Sequence, residues 1–180
     1  MTKITVFVGS LREKSFNLGL AKAVEEAMPD GFEFTYADID LPLFNEDLER
    51  DYPEKARALK DLIESSDGVL FALPEYNRSV PGVLKNAIDW ASRPFGTNSF
   101  KGKPAGVVGA SLNIAGTAAA QAHFRGIAAF LEMKQLGQPE IYIPVTEGVF
   151  NGVGELVDER WLKNVQVYAA AFADWVDEQK

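Results

Sequence analysis

Between Gly9 and Asn17 the chain reads GSLREKSFN, which places two cations and three short hydrogen-bonding side chains around a single glycine. Ser10, Ser15 and Asn17 can donate through hydroxyl and amide groups. A helix starting here would present free N–H groups, and Arg12 adds a charge-assisted fork. That donor set suits a terminal phosphate monoester. The G-x-G-x-x-G and Walker A patterns are both absent, since Gly9 has no glycine partner before Gly19. A turn built for close approach to a pyrophosphate is therefore not expected.

Two further stretches hold unusual residues. In LPEYNRSVPGVLKNAIDW (73–90), Tyr76 can lie against a planar ligand while Asn77 and nearby backbone N–H groups meet its polar edge. Ser79 is expected to cap the following helix, with Pro81 and Gly82 shaping its first turn. Taken singly, Tyr76 reads rather as an ordinary half-buried aromatic and Asn77 as a turn-former. In GASLNIAGTAAAQ (109–121), small residues let the backbone approach something flat, or form a flexible loop. The single histidine, His123, sits beside Phe124 in a helical pattern and reads as structural or surface. Trp90 and Trp161 read as packing residues. Glu25-Glu26 and Asp158-Glu159 read as solvated helix faces. No spacing suggests a metal site or a nucleophile with its base, and the lack of cysteine excludes disulfides and thiol chemistry.

These stretches fall between short apolar runs. ITVFV (4–8), FEFTYA (32–37), GVLFALP (68–74), AGVVGAS (105–111) and IYIPV (141–145) read as strands, with FEFTYA near a sheet edge. Helical stripes separate them: Phe16, Leu20, Val24, Ala27 and Met28; then Ala56, Leu59, Leu62 and Ile63; then Leu84, Ala87, Ile88 and Ala91. Phe124, Ile127, Ala128 and Leu131 mark a fourth helix. Leu162, Val165, Ala169, Phe172, Ala173 and Val176 mark the last. Residues 38–52 read as a loop carrying Leu41, Leu43 and Phe44. Five β-α repeats predict a parallel sheet with helices on both faces. Ligands of such sheets bind beyond the carboxyl ends of the strands at the switch point of strand order, so the three stretches are expected to share one site.

Bulk composition agrees with an ordinary globular chain: 180 residues, 47% apolar and 24% charged, expected to form one domain over 1–180. A net charge of −8 argues against nucleic acid or an anionic membrane as partner. No apolar run approaches the roughly 20 residues needed to span a bilayer. The N-terminus does not read as a signal peptide, and the expected compartment is cytoplasmic.

GSLRxxSxN after the first strand and PEYNxSxPGxLKNAIDW after the third resemble the NADPH-dependent FMN reductase family, which includes bacterial quinone and chromate reductases. The resemblance runs over nearly the whole chain. It implies a flavodoxin-like three-layer α/β sandwich, with a five-stranded parallel sheet in the order 2-1-3-4-5. It implies that Ser10, Arg12, Ser15 and Asn17 hold the FMN phosphate, with Phe16 beside them. Pro74, Glu75, Tyr76 and Asn77 would lie along the isoalloxazine ring with Arg78 adjacent, and Ser111 would start the third flavin loop. Hydride would pass from NADPH or NADH to FMN, and the electrons then to a quinone, a free flavin or another small acceptor. No catalytic side chain is implied. The other readings are a flavodoxin-like electron carrier and a non-catalytic flavin-binding sensor. The third loop departs from the family pattern S-x-G-x-x-G-G-x-R, with Asn113, Thr117 and Ala119 at the first-glycine, third-glycine and arginine positions. The resemblance and the apolar loop at 38–52 both imply a homodimer or homotetramer.

Overall fold

Thr2–Val8 (β1) is nearly all β-branched or aromatic, and it pairs in parallel on both edges, with Phe32–Tyr36 (β2) and with Gly68–Ala72 (β3). The computed structural model describes residues 1–180. Chain order continues through Phe16–Ala27 (α1), Glu54–Glu64 (α2), Gly82–Ala91 (α3), Pro104–Ser111 (β4) and Ala118–Phe130 (α4). The remaining elements are Lys134–Gln135 (β5), Tyr142–Pro144 (β6) and Glu159–Glu178 (α5). The sheet runs β2-β1-β3-β4-β5, and β6 also pairs with β4. This is the flavodoxin-like order.

Alternation along each strand sorts side chains between two cores, because successive residues of a strand face opposite ways. Phe7, Val69, Phe71, Ala105 and Val107 face α2, α3 and α4. Ile4, Val6, Leu70, Ala72, Val108 and Ala110 face α1 and α5. With both faces covered, the strands need continuous apolar runs, which is what the sequence shows. Phe7 and Phe71 stack with ring centroids 4.8 Å apart, and Phe124 packs 4.5 Å from Phe71.

The structure departs from the sequence expectations in places. The fifth sheet position is split, with β5 alongside the start of β4 (Pro104↔Lys134) and β6 alongside its end (Gly109↔Tyr142). Lys134 and Gln135 are two polar residues with no strand signal of their own, so the sequence pattern does not reveal β5. Strand β3 ends at Ala72 rather than Pro74, although the Leu73 N–H still donates to the Val108 carbonyl at 3.0 Å. Pro81, in extended conformation, precedes α3 instead of lying in its first turn. Ser79 does not cap that helix; its Oγ lies 2.8 Å from His123 Nδ1, two residues too early to reach the free amides. The loop at 38–52 contains a short 3-10 turn at Glu46–Glu49. Leu41 is buried and Phe44 sits edge-on to Trp90, 5.0 Å between centroids, while Leu43 stays 82% exposed. Two of the three apolar residues expected at an interface therefore tuck into their own core. No helix is long and apolar enough to cross a membrane.

Candidate active site

The carboxyl ends of β1, β3 and β4 lie side by side. The Gly9 N–H donates to the Ala72 carbonyl at 2.8 Å, joining the first two ends. The three turns that leave these ends enclose one cavity of about 340 Å³, within the usual range for small-molecule sites. Ser10, Arg12, Phe16 and Asn17 line it from the first turn. Pro74, Glu75 and Tyr76 line it from the second, and Ser111, Leu112 and Asn113 from the third.

The first turn is shaped by its own polar groups. Ser10 Oγ accepts from the Arg12 N–H at 3.3 Å, and Ser15 Oγ caps α1 by accepting from the Leu18 N–H at 3.4 Å. Arg12 Nη2 donates to the Lys14 carbonyl at 2.9 Å, and the guanidinium stands 5.3 Å over the Phe16 ring. Successive backbone N–H groups from Glu13 to Asn17 have no acceptor within the chain. Such a run at a helix start, with its partial positive charge, is an anion-binding concavity. This donor set fits the phosphate of a flavin mononucleotide.

Asn17 is fully engaged on the sheet side. Its Nδ2 donates to the Ala110 carbonyl and its Oδ1 accepts from the Ala110 N–H, both at 2.9 Å. Its side chain thus ties α1 to the end of β4, and only its backbone N–H is free for a ligand. Gly19 permits this close docking on the other side of α1, where an added Cβ would fall 1.9 Å from the Gly154 carbonyl oxygen.

The second turn is tight. Tyr76 and Ser79 exchange both backbone hydrogen bonds, and Asn77 and Arg78 between them have φ of 52° and 61°. Tyr76 is 51% exposed and faces the cavity as one wall. Asn77 and Arg78 are exposed and do not line the cavity, and Ser15 lies behind it as the buried cap of α1. Glu75 lines the cavity through its backbone, but its side chain is only 2% exposed. The carboxylate receives Asn113 Nδ2 at 3.0 Å and the Ala119 and Ala120 N–H groups at 3.1 Å each.

Sequence reasoning did not assign Leu112 or Asn113 to the site. Leu112, 79% exposed, carried no signal distinguishing it from a surface residue. Asn113 did carry one, since an amide where the family pattern has glycine needs a partner, and Glu75 is that partner.

Residues 2–148 match the profile of the family described as NADPH-dependent FMN reductase. The chain is 46% identical over 179 residues to a 2-hydroxy-1,4-benzoquinone reductase of Burkholderia sp, covering 99% of this chain and 98% of that one. It is 42% identical over 175 residues to a quinone reductase of Pseudomonas putida, covering 96% and 94%. Among solved structures it is similar to FerB, a flavoenzyme NAD(P)H:(acceptor) oxidoreductase from Paracoccus denitrificans. The TM-score is 0.92, with 43% identity and 99% of each chain covered.

Proposed function

Because the chain belongs to the NADPH-dependent FMN reductase family, we propose that the cavity at the ends of β1, β3 and β4 binds FMN and admits both electron donor and acceptor. The chain is an NAD(P)H-dependent FMN/quinone reductase. Family membership sets aside the electron-carrier and sensor readings. The observation that carries the site assignment is the meeting of Ser10, Arg12 and the unpaired amides of Phe16 and Asn17 with Pro74, Tyr76 and Ser111 around one cavity.

The first turn holds the phosphate. The Ser10 hydroxyl, the backbone N–H groups of Phe16 and Asn17 and the Arg12 guanidinium would supply neutral donors and one charge. Phe16 supports Arg12 from below, and Ser15, expected among these donors, acts from behind the cavity as the cap of α1. Pro74, Tyr76 and the backbone of Glu75 form one wall for the flavin ring, and Ser111 opens the other. Asn77 and Arg78 act through the geometry of their turn, which holds Tyr76 in place. Bound FMN supplies the two-electron relay between NAD(P)H and the acceptor. The protein contributes orientation and the unpaired backbone N–H of Glu75, which favours negative charge on the ring edge. The acceptor class is quinones, as for the named relatives.

The chain is proposed to form one reductase domain over 1–180 and to work in the cytoplasm as a homodimer or homotetramer. Exposed Phe95 and Phe130 border one surface cleft and, at 91% and 85% exposure, support self-association, since neighbouring apolar side chains favour shared burial. Light scattering on the purified protein should give a mass of two or four chains; a monomer at working concentration rejects the assembly.

The central experiment is anaerobic. The protein is saturated with FMN, freed of excess, and mixed with NADPH while the flavin absorption is followed. Rapid bleaching, reversed by a quinone, is the expected outcome. Failure to retain flavin would reject the cavity assignment.

A further inference from the structure

Glu75 is built differently from the other residues around the cavity. Its backbone faces the site while its carboxylate, 2% exposed, is turned into the protein. Oε1 accepts from Asn113 Nδ2 at 3.0 Å and from Arg78 Nη1 at 3.3 Å. Oε2 accepts from the Ala119 and Ala120 N–H groups, both at 3.1 Å. Ala119 and Ala120 are the second and third residues of α4, where N–H groups have no partner inside the helix. Thr117, in the capping position, makes no cap bond; its Oγ1 accepts instead from Gln121 Nε2 at 2.9 Å. Glu75, 42 positions before Thr117 in the chain, has taken over the cap.

The same carboxylate reaches the other end of the third turn through Asn113. The Asn113 N–H donates to Ser111 Oγ at 3.1 Å, and its Oδ1 accepts from the Ala115 N–H at 3.2 Å. Both ends of the segment 111–120 are therefore fixed to one residue of the second turn. Only a carboxylate can do this, because it offers two accepting oxygens and no donor. A glutamine would have to turn its NH₂ toward either the α4 amides or the Asn113 amide.

We propose that Glu75 is the positioning residue of the flavin site, clamping the third turn to the second with Asn113 as partner and so setting where the Ser111–Asn113 wall stands. This rests on the FMN reading above, and deepens it by giving the wall a single determinant. The charge of Glu75 is answered by the start of α4 and by Arg78 and does not face the cavity.

The test uses Glu75→Gln and Asn113→Ala with FMN titration, amide hydrogen exchange of the FMN-free protein, and turnover. In Glu75→Gln the FMN Kd should rise roughly ten- to hundredfold, as for loss of hydrogen bonds to a charged group. Exchange at Ala119 and Ala120 should accelerate while amides later in α4, from Arg125 to Ala129, stay protected. At saturating FMN, kcat should fall less than the affinity does. Asn113→Ala keeps the carboxylate on α4, so its Kd should rise only roughly three- to tenfold with Ala119 and Ala120 still protected. Unchanged FMN affinity in Asn113→Ala overturns the proposal, and decides it alone if Glu75→Gln does not fold. Acceleration spread evenly over α4 also overturns it, because that marks general loss of stability. If the wild-type protein retains no FMN, the flavin reading fails, yet the exchange pattern still decides the clamp. Protection of Ala119 and Ala120 that depends on Glu75 supports it, and its absence overturns it.

Discussion

In the proposed FMN site, Arg12 is the residue on which phosphate binding would turn. Its guanidinium is exposed yet held in place by the Lys14 carbonyl and the Phe16 ring, so little side-chain freedom remains to be lost when an anion arrives. Arg12→Ala should weaken FMN binding by roughly ten- to hundredfold, the usual range for a hydrogen bond to a charged group. Arg12→Lys should recover part of that loss, because an ammonium keeps the charge but not the fork. Quenching of FMN fluorescence on titration measures both; equal affinity across the three proteins would reject the phosphate assignment. Asn17 shows how type alone misleads at this scale. An asparagine at a helix start reads as a donor to a ligand, but both of its amide groups are spent on Ala110, 93 residues away.

At the scale of elements, the third turn is where local pattern and observed structure differ most. Its small residues read as flexible or merely permissive. In the fold the turn is anchored by Glu75 at two points and wedged by Gly116 against β6. Gly116 has φ of 58°, and a Cβ there would lie 2.7 Å from the Tyr142 carbonyl carbon. Gly116→Ala should therefore cost about 2 kcal/mol or more, combining left-handed strain with a contact too close for carbon atoms. Urea unfolding with and without FMN measures it. A loss of less than about 0.5 kcal/mol, the range of ordinary surface changes, would show that the turn moves freely away from β6. The split fifth strand belongs to the same scale. Gly137 and Pro139 fall between β5 and β6, and proline lacks the N–H that a continuous ladder alongside β4 would need.

For the whole molecule, stability should fall at high pH. Tyr52 is half-buried, donates to the Trp90 carbonyl and lies near Glu49; burial first, then that negative charge, push its pKa up to about 12 from 10.0. Burial likewise raises Tyr36 and Tyr168 above the ordinary tyrosine value. A raised phenol pKa means that the folded state favours the neutral form. This stabilisation is complete below pH about 10 and is lost as pH climbs toward about 12. Unfolding midpoints should be level up to pH about 10 and drop above it, with tyrosinate absorbance appearing together with unfolding. Tyr52→Phe should make the drop shallower. A flat profile through that window would show that these phenols titrate freely in the fold.

The sequence by itself determined the alternation of strands and helices, the strand order through its family motifs, and which three turns meet. The alternation follows from periodicity and from apolar runs, which are properties of neighbours along the chain, whereas the strand order comes from the family resemblance and the shared site from the switch-point rule. The sequence also marked Ser10, Arg12 and Tyr76 by residue type, and Pro74 and Ser111 through the family resemblance; all five line the one cavity. Only the tertiary structure decided what Asn17, Glu75, Ser79 and Asn113 do, since each has its partner far along the chain or in another element. It decided in the same way that Leu41 and Phe44 belong to the core. A polar side chain has several possible partners of equal local merit, and burial removes water from the competition. Which one it then takes depends on which distant backbone groups the packed helices leave without a partner.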